Sequence, residues 1–267
     1  MNTHMNLGRR RGWVLLALAL AACSPTGASE VTTTTLLGEP VAFGHGTMRS
    51  YVSVENGRPT EIGVIVPEAA LHGMPPADHA SGVMVHGSVT FETVLDLPSN
   101  NPTPFQHILV NWNPGGHEPP GIYDVEHMDF HFYTVTKEWR HSIDPTDAAY
   151  QAKAERLPEA DFVPAGYIMP EPLAFPRMGV HWVHPSSPEL NGEPFTHTFI
   201  YGSWDGRIIF AEPMITKKLL DSKTNFSAPV PLAARYTVPG AYPTGYGVTW
   251  NEDGSEFRIA LTGLVER

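Results

Sequence analysis

Residues 112–136 read WNPGGHEPPGIYDVEHMDFHFYTVT, and the end of that stretch decides what kind of fold the chain builds. In HMDFHFY, residues 127–133, polar and apolar side chains alternate without a break. Side chains two apart on a strand share a face, so His127, Asp129, His131 and Tyr133 point one way and Met128, Phe130 and Phe132 the other. Alternation ordinarily marks a half-buried strand with a solvated polar face, but such faces favour Lys, Glu and Thr. A His-Asp-His-Tyr face is a set of metal ligands or proton-transfer groups.

Strand signals continue on both sides. Upstream, RSYVSVE, an Asn56-Gly57 turn and PTEIGVIVP predict a hairpin with a type I′ dipeptide. Glu68 to Gly82 reads as loop. Ser88 to Leu97 and Gln106 to Asn113 read as strands around a turn at Asn100-Asn101-Pro102. Downstream, Gly179 to Val183 predicts a short strand. Thr196 to Gly202 and Arg207 to Glu212, joined by Asp205-Gly206, predict a second hairpin. Pro229 to Tyr236, Tyr246 to Trp250 and Glu256 to Val265 return to β. Helix signals are few: Asp144 as N-cap, with Pro145 and Asp147 behind it, predicts about three turns ending at Arg156. Pro213 to Asp221 predicts a short helix. Roughly ten short strands with regular turns, together with 26 prolines, define an all-β fold. It is an antiparallel barrel or sandwich, cupin-like or similar, with one or two short helices. One domain over residues 40–267 fits, as do two β lobes with a break near 140–178. A parallel α/β sheet does not fit, because strands and long helices do not alternate.

The N-terminus predicts location. Arg9, Arg10 and Arg11 form a basic n-region, and Val14 to Ala22 is an apolar run too short to span a membrane. Leu20-Ala21-Ala22-Cys23 resembles a bacterial lipobox. That resemblance implies a signal peptide over residues 1–22 and a lipid anchor on Cys23. Ser24 favours the outer membrane, on its periplasmic or surface side. The Thr-rich stretch that follows, to about residue 39, reads as a flexible tether. Cys23 is the only cysteine, which removes intramolecular disulfides and every Cys-based metal or nucleophile site. Losing three arginines and no acids leaves 14 Lys+Arg against 28 Asp+Glu, a net of −14. That balance argues against nucleic acid or anionic lipid headgroups as partners.

The candidate metal ligands are His127, Asp129, His131, His181 and Glu212, for one divalent ion of Zn, Fe, Mn or Cu type. Geometry restricts their combination. Residues two apart on a strand can grip one ion, but His127 and His131, four apart, stand about 13 Å apart and would need a bulge to share one. Glu212 continues a face begun by Ile208 and Phe210, so it reads as a buried carboxylate needing a partner. Histidines plus a carboxylate on β walls resemble the cupin arrangement, but the cupin spacing is absent. His117-Glu118 begins an apparent HExxH motif that Pro119 and Pro120 exclude from a helix. His117, Glu118 and Tyr133 are therefore placed at a pocket rim. No GxSxG, Walker or GxGxxG motif is present, and aromatics near the site either line an apolar pocket or fill the core.

WNPGGHEPPGIYDVEHMDFHFY, MGVHWV and PFTHTFIYGSWDGRIIFAEPMIT resemble a family of uncharacterised exported bacterial proteins, a domain of unknown function. The resemblance covers roughly residues 40–225; the family tends to have Pro at Glu126 and Phe at Met128. It implies a β-rich fold, homo-oligomers and a site built from the His/Asp/Glu positions above, and it implies no activity. Two functions remain. One is a lipid-anchored envelope protein with a metal site, enzyme or not, whose small-molecule ligand is unassigned. The other is a metal-free oligomeric β protein that binds an apolar ligand or serves an envelope or stress role.

Overall fold

A computed structural model describes residues 1–2, 31–85, 87–170 and 173–267. Residues 3–22 of the expected signal peptide, and Cys23, lie outside the described residues. Thr32–Arg267 forms one compact unit. Its strands run β1 (Thr33–Leu37), β2 (Val41–Phe43), β3 (Gly46–Glu55), β4 (Arg58–Pro67), β5 (Val83–Val85) and β6 (Ser88–Asp96). Next come β7 (His107–Asn113), β8 (His127–Tyr133), β9 (Ala174–Phe175), β10 (Gly179–Trp182), β11 (His197–Trp204) and β12 (Arg207–Thr216). β13 (Phe226–Pro229), β14 (Ala241–Tyr242), β15 (Gly245–Asn251), β16 (Glu256–Thr262) and β17 (Val265–Glu266) complete them. The helices are single turns: α1 (Lys137–His141), α2 (Tyr150–Ala154) and α3 (Lys217–Asp221). Among the described residues no helix is long and apolar enough to cross a membrane.

The fold is all-β and antiparallel, as the alternation requires. One sheet has the order β1-β3-β4-β16-β15-β13, with β2 on β3; the second runs β5-β6-β7-β8-β12-β11-β10-β9, and β14 pairs with β17 in a small third sheet. Asn56-Gly57 and Asp205-Gly206 close the two expected hairpins with both residues at positive φ, the backbone that type I′ turns need. Met48, Val52, Ile62, Val64, Phe257 and Ile259 from the first sheet meet Ile108, Val110, Met128, Phe130, Phe132 and Ile215 from the second in one apolar core. Met128, Phe130 and Phe132 thus face inward, as the period-2 reading places them.

The opposite face of the second sheet is buried too. All seven residues of β7 and all seven of β8 are buried. Side chains from the segment where a break between lobes was an expectation, and from the start of β10, cover it. Ile143, Ala154, Met178 and Val180 pack there on Leu109, Tyr133 and Phe210.

Four expectations need correction. The Asp144 helix is only the single turn α2: Asp144 and Asp147 spend their carboxylates on Thr146 and Ala149 N–H groups in local turns, and such bonds compete with helix. β12 runs through Pro213 to Thr216, so the helix expected from Pro213 is reduced to α3, capped by Thr216. Part of the expected tether is β1, in register with β3 from Thr33↔Glu55 to Leu37↔Tyr51. Of the strand expected at Pro229–Tyr236 only its first residue, Pro229, lies in a strand, as the last residue of β13.

Candidate metal centre

β8 carries His127, Asp129, His131 and Tyr133 on the outward face, in unbroken register with β7 from Asn113↔His127 to His107↔Tyr133. Because the strand is regular, His127 and His131 do not converge. Each pairs with a different carboxylate. His127 Nε2 lies 3.1 Å from Asp129 Oδ1, while His131 Nε2 lies 3.3 Å from Glu212 Oε2.

The loop between β7 and β8 adds a third candidate ligand. His117 Nε2 lies 3.4 Å from Asp129 Oδ2, with His117 only 8% exposed at the side chain. His117, Asp129 and His127 each offer a ligand atom within 4.8 Å of the others. Gly116 makes this approach feasible. Its φ is +70°, and a Cβ there would stand 2.2 Å from Tyr123 O and 2.5 Å from Asp124 Cα; only glycine accepts both demands cheaply. His117 N then donates to Tyr123 O at 3.1 Å. Tyr123 and Phe195 pack over the group, ring to ring with His117 and His127. His117 therefore belongs to the centre rather than to a rim.

The tautomers follow from the backbone. His127 Nδ1 lies 2.6 Å from Val125 O and His117 Nδ1 2.7 Å from Glu118 O. A carbonyl only accepts, so each Nδ1 carries a proton and donates it. In the neutral rings both Nε2 lone pairs then aim at the Asp129 carboxylate, lone pair toward lone pair. His127 Nε2 and Asp129 Oδ1 have no hydrogen-bond partner among the described residues. A cation between them would resolve the conflict. Two atoms bound to one ion at about 2.1 Å stand about 3.0 Å apart at a right angle and about 3.4 Å apart at a tetrahedral angle. Asn113 Nδ2 donates to Asp129 Oδ2 at 2.6 Å and fixes the carboxylate, the orienting role of a group behind a metal ligand.

Protonation offers the competing resolution. Burial alone pushes His117 down, but Asp129 beside it holds the imidazole above the ordinary histidine value. Burial would raise Asp129, yet the positive charges of His127 and His117 hold it well below the usual carboxylate range. The lower pair behaves oppositely. Burial pushes His131 down to about 3, against the pull of Asp129 and with help from His181 and Arg140. Burial, then the Asp129 charge, holds Glu212 well above its ordinary value.

The remaining expected residues spread out. His181 stacks on Phe175 at 5.3 Å and meets Phe210 edge-on at 5.8 Å. Phe210 reaches it by lying across Gly202, where a Cβ would meet the ring at 2.0 Å. Tyr133 stacks between His107 and His131 and donates its hydroxyl to Arg177 O. Glu118 contributes its carbonyl to His117. Asn113 escaped the sequence reading, although NWN repeats the alternation of HMDFHFY one strand away and placed a polar side chain beside His127.

A family model described as TTHB210-like (Hypothetical protein TTHB210) matches residues 54–112. The chain is thus similar to an uncharacterised family from the end of β3 through most of β7, a segment that stops short of His117, His127 and Asp129. No curated protein and no solved structure matches the chain.

Proposed function

We propose that the protein is a divalent-metal-binding β protein of the cell envelope, anchored through a lipidated Cys23, with the ion held by His117, His127 and Asp129. One observation carries the metal reading: two imidazoles, each fixed through Nδ1, turn Nε2 toward one buried carboxylate at 3.1 and 3.4 Å. Two imidazoles and a carboxylate suit Zn, Fe, Mn or Cu better than Mg or Ca, which prefer oxygen. Three protein ligands leave a coordination position for water or substrate, where the metal would act as a Lewis acid in hydrolysis, isomerisation or oxygenation. The envelope reading is supported by the basic n-region and the lipobox-like Leu20–Cys23.

The test is elemental analysis of the full-length chain, purified without a His tag, beside His127→Ala and Asp129→Ala. Near-stoichiometric metal in the wild type, lost in both variants, supports the reading. No metal after reconstitution overturns it.

A second reading, an oligomeric β protein that binds an apolar ligand, is favoured by a shallow, aromatic-walled cleft lined by Phe105, Phe162, Tyr201, Tyr236 and Tyr242. Metal-independent melting, with a melting temperature raised by an apolar ligand, would favour it.

A further inference from the structure

We propose that His131 and Glu212 hold a second divalent cation, so that the buried outer face of β8 and β12 carries a two-cation centre; this rests on reading the His117–His127–Asp129 group as a metal site. His131 follows Asp129 on the same face of β8. On β12, Ala211 pairs with Phe132 and Met214 with Asp129, a register that sets Glu212 across from His131. Both are buried, at 1% and 2% exposure.

Their contact is long for what it would otherwise be. A charge-assisted hydrogen bond between imidazolium and carboxylate closes to about 2.7–2.9 Å, whereas His131 Nε2 and Glu212 Oε2 stand 3.3 Å apart. Neither atom has a hydrogen-bond partner among the described residues, and neither does His131 Nδ1. Leaving a buried polar group unsatisfied forfeits its hydration with nothing in return. A separation of 3.3 Å is, by contrast, the edge that two ligands of one ion make at close to the tetrahedral angle.

The backbone concedes something at the same place. Pro213 sits inside a central strand, where proline is ordinarily excluded because it cannot donate to the ladder. The β8–β12 pairing accordingly passes over Glu212 and Pro213. The sheet gives up pairing beside the one carboxylate that faces His131.

The test is a Co²⁺ titration of the chelator-stripped full-length chain, followed by absorbance and by metal counting after desalting. Wild type should take up two equivalents, and Glu212→Gln and His131→Gln one each. One equivalent in wild type, retained by Glu212→Gln, would overturn the second cation and leave the first site standing. No uptake at all would overturn both. Should the variants fail to fold by near-ultraviolet circular dichroism, the wild-type count alone decides: two supports the proposal and one sinks it.

Discussion

Asn113→Leu tests the centre through a residue that would not touch the ion. Asn113 is 2% exposed, and its side-chain amide donates to Asp129 Oδ2 at 2.6 Å. Leucine fills a similar volume and offers no donor, so the carboxylate loses the group that aims it. Removing an orienting partner behind a metal ligand typically weakens metal binding 10–100-fold, about 1.4–2.7 kcal/mol. The metal-free protein should lose stability as well. A hydrogen bond to a charged group contributes about 1.5–3 kcal/mol, and each kcal/mol is about 2–4 °C in a unit of this size, giving a drop of about 3–12 °C. Competition against a chromophoric chelator measures the first quantity, and thermal melting of the stripped protein the second. Asp129→Asn, run in parallel, should abolish binding. If Asn113→Leu melts early yet binds metal within twofold of wild type, Asn113 merely supports the fold, and the geometry ascribed to Asp129 is refuted.

Stripping the wild type with a chelator should lower its melting temperature by about 8–16 °C relative to protein at a free metal concentration 1,000 times Kd, since such linkage contributes about 4 kcal/mol; coincident melts would refute a metal bound only to the folded state. Gly116→Ala places a methyl group against Tyr123 O at a positive φ that costs about 1–2 kcal/mol by itself. It should shift His117 and weaken metal binding, and unchanged affinity by the same competition assay would show that His117 is not a ligand. His107, buried and stacked on Tyr133 at 4.8 Å, is pushed down to about 4 by burial, with the charges of Arg140 and Lys137 adding and Asp96 opposing. The unfolded chain binds this proton first as pH falls below about 6.5, so stability is lost between there and pH 4, by up to about 3 kcal/mol. Denaturant melts of His107→Gln should lose stability less steeply over that window; an unchanged slope would count against a buried neutral His107.

What the sequence disclosed tracks the range of the interactions involved. Period-2 alternation in HMDFHFY and the Asn56-Gly57 and Asp205-Gly206 dipeptides are local signals, and β8 and both hairpins follow them. The Asp144 helix was legible only as propensity: the same carboxylates that cap helices also close Asx turns, and here the turns win. β12 continuing through Pro213 contradicts a local rule, and only the register with β8 on one side and β11 on the other reveals how the strand tolerates it. At the centre, His127 and Asp129 could be paired by spacing alone. His117 could not, because its place depends on a glycine turn folding the chain back against Tyr123–Val125. Nor could Glu212, whose partner His131 is fixed by strand order.

The two-sided burial of β7 and β8 bears most directly on the polar face. Sheets covered on both faces usually carry near-continuous apolar runs, because an uncompensated buried charge destabilises by several kcal/mol. This sheet carries His107, Asn111, Asn113, His127, Asp129, His131 and Glu212 on its outer face, all buried. A hydrogen-bonded network that merely kept strands in register would satisfy these groups with one another. Asn113 and Asp129 do so, as do the two Nδ1 atoms with their carbonyls. Among these seven residues the atoms left over are both ring nitrogens of His107 and of His131, Oδ1 of Asn111, Nε2 of His127, Oδ1 of Asp129 and Oε2 of Glu212. Four of them are metal-coordinating groups that face one another in pairs, His127 Nε2 with Asp129 Oδ1 at 3.1 Å and His131 Nε2 with Glu212 Oε2 at 3.3 Å. A cation at either pair would match both of its atoms, and that is what the metal counts test.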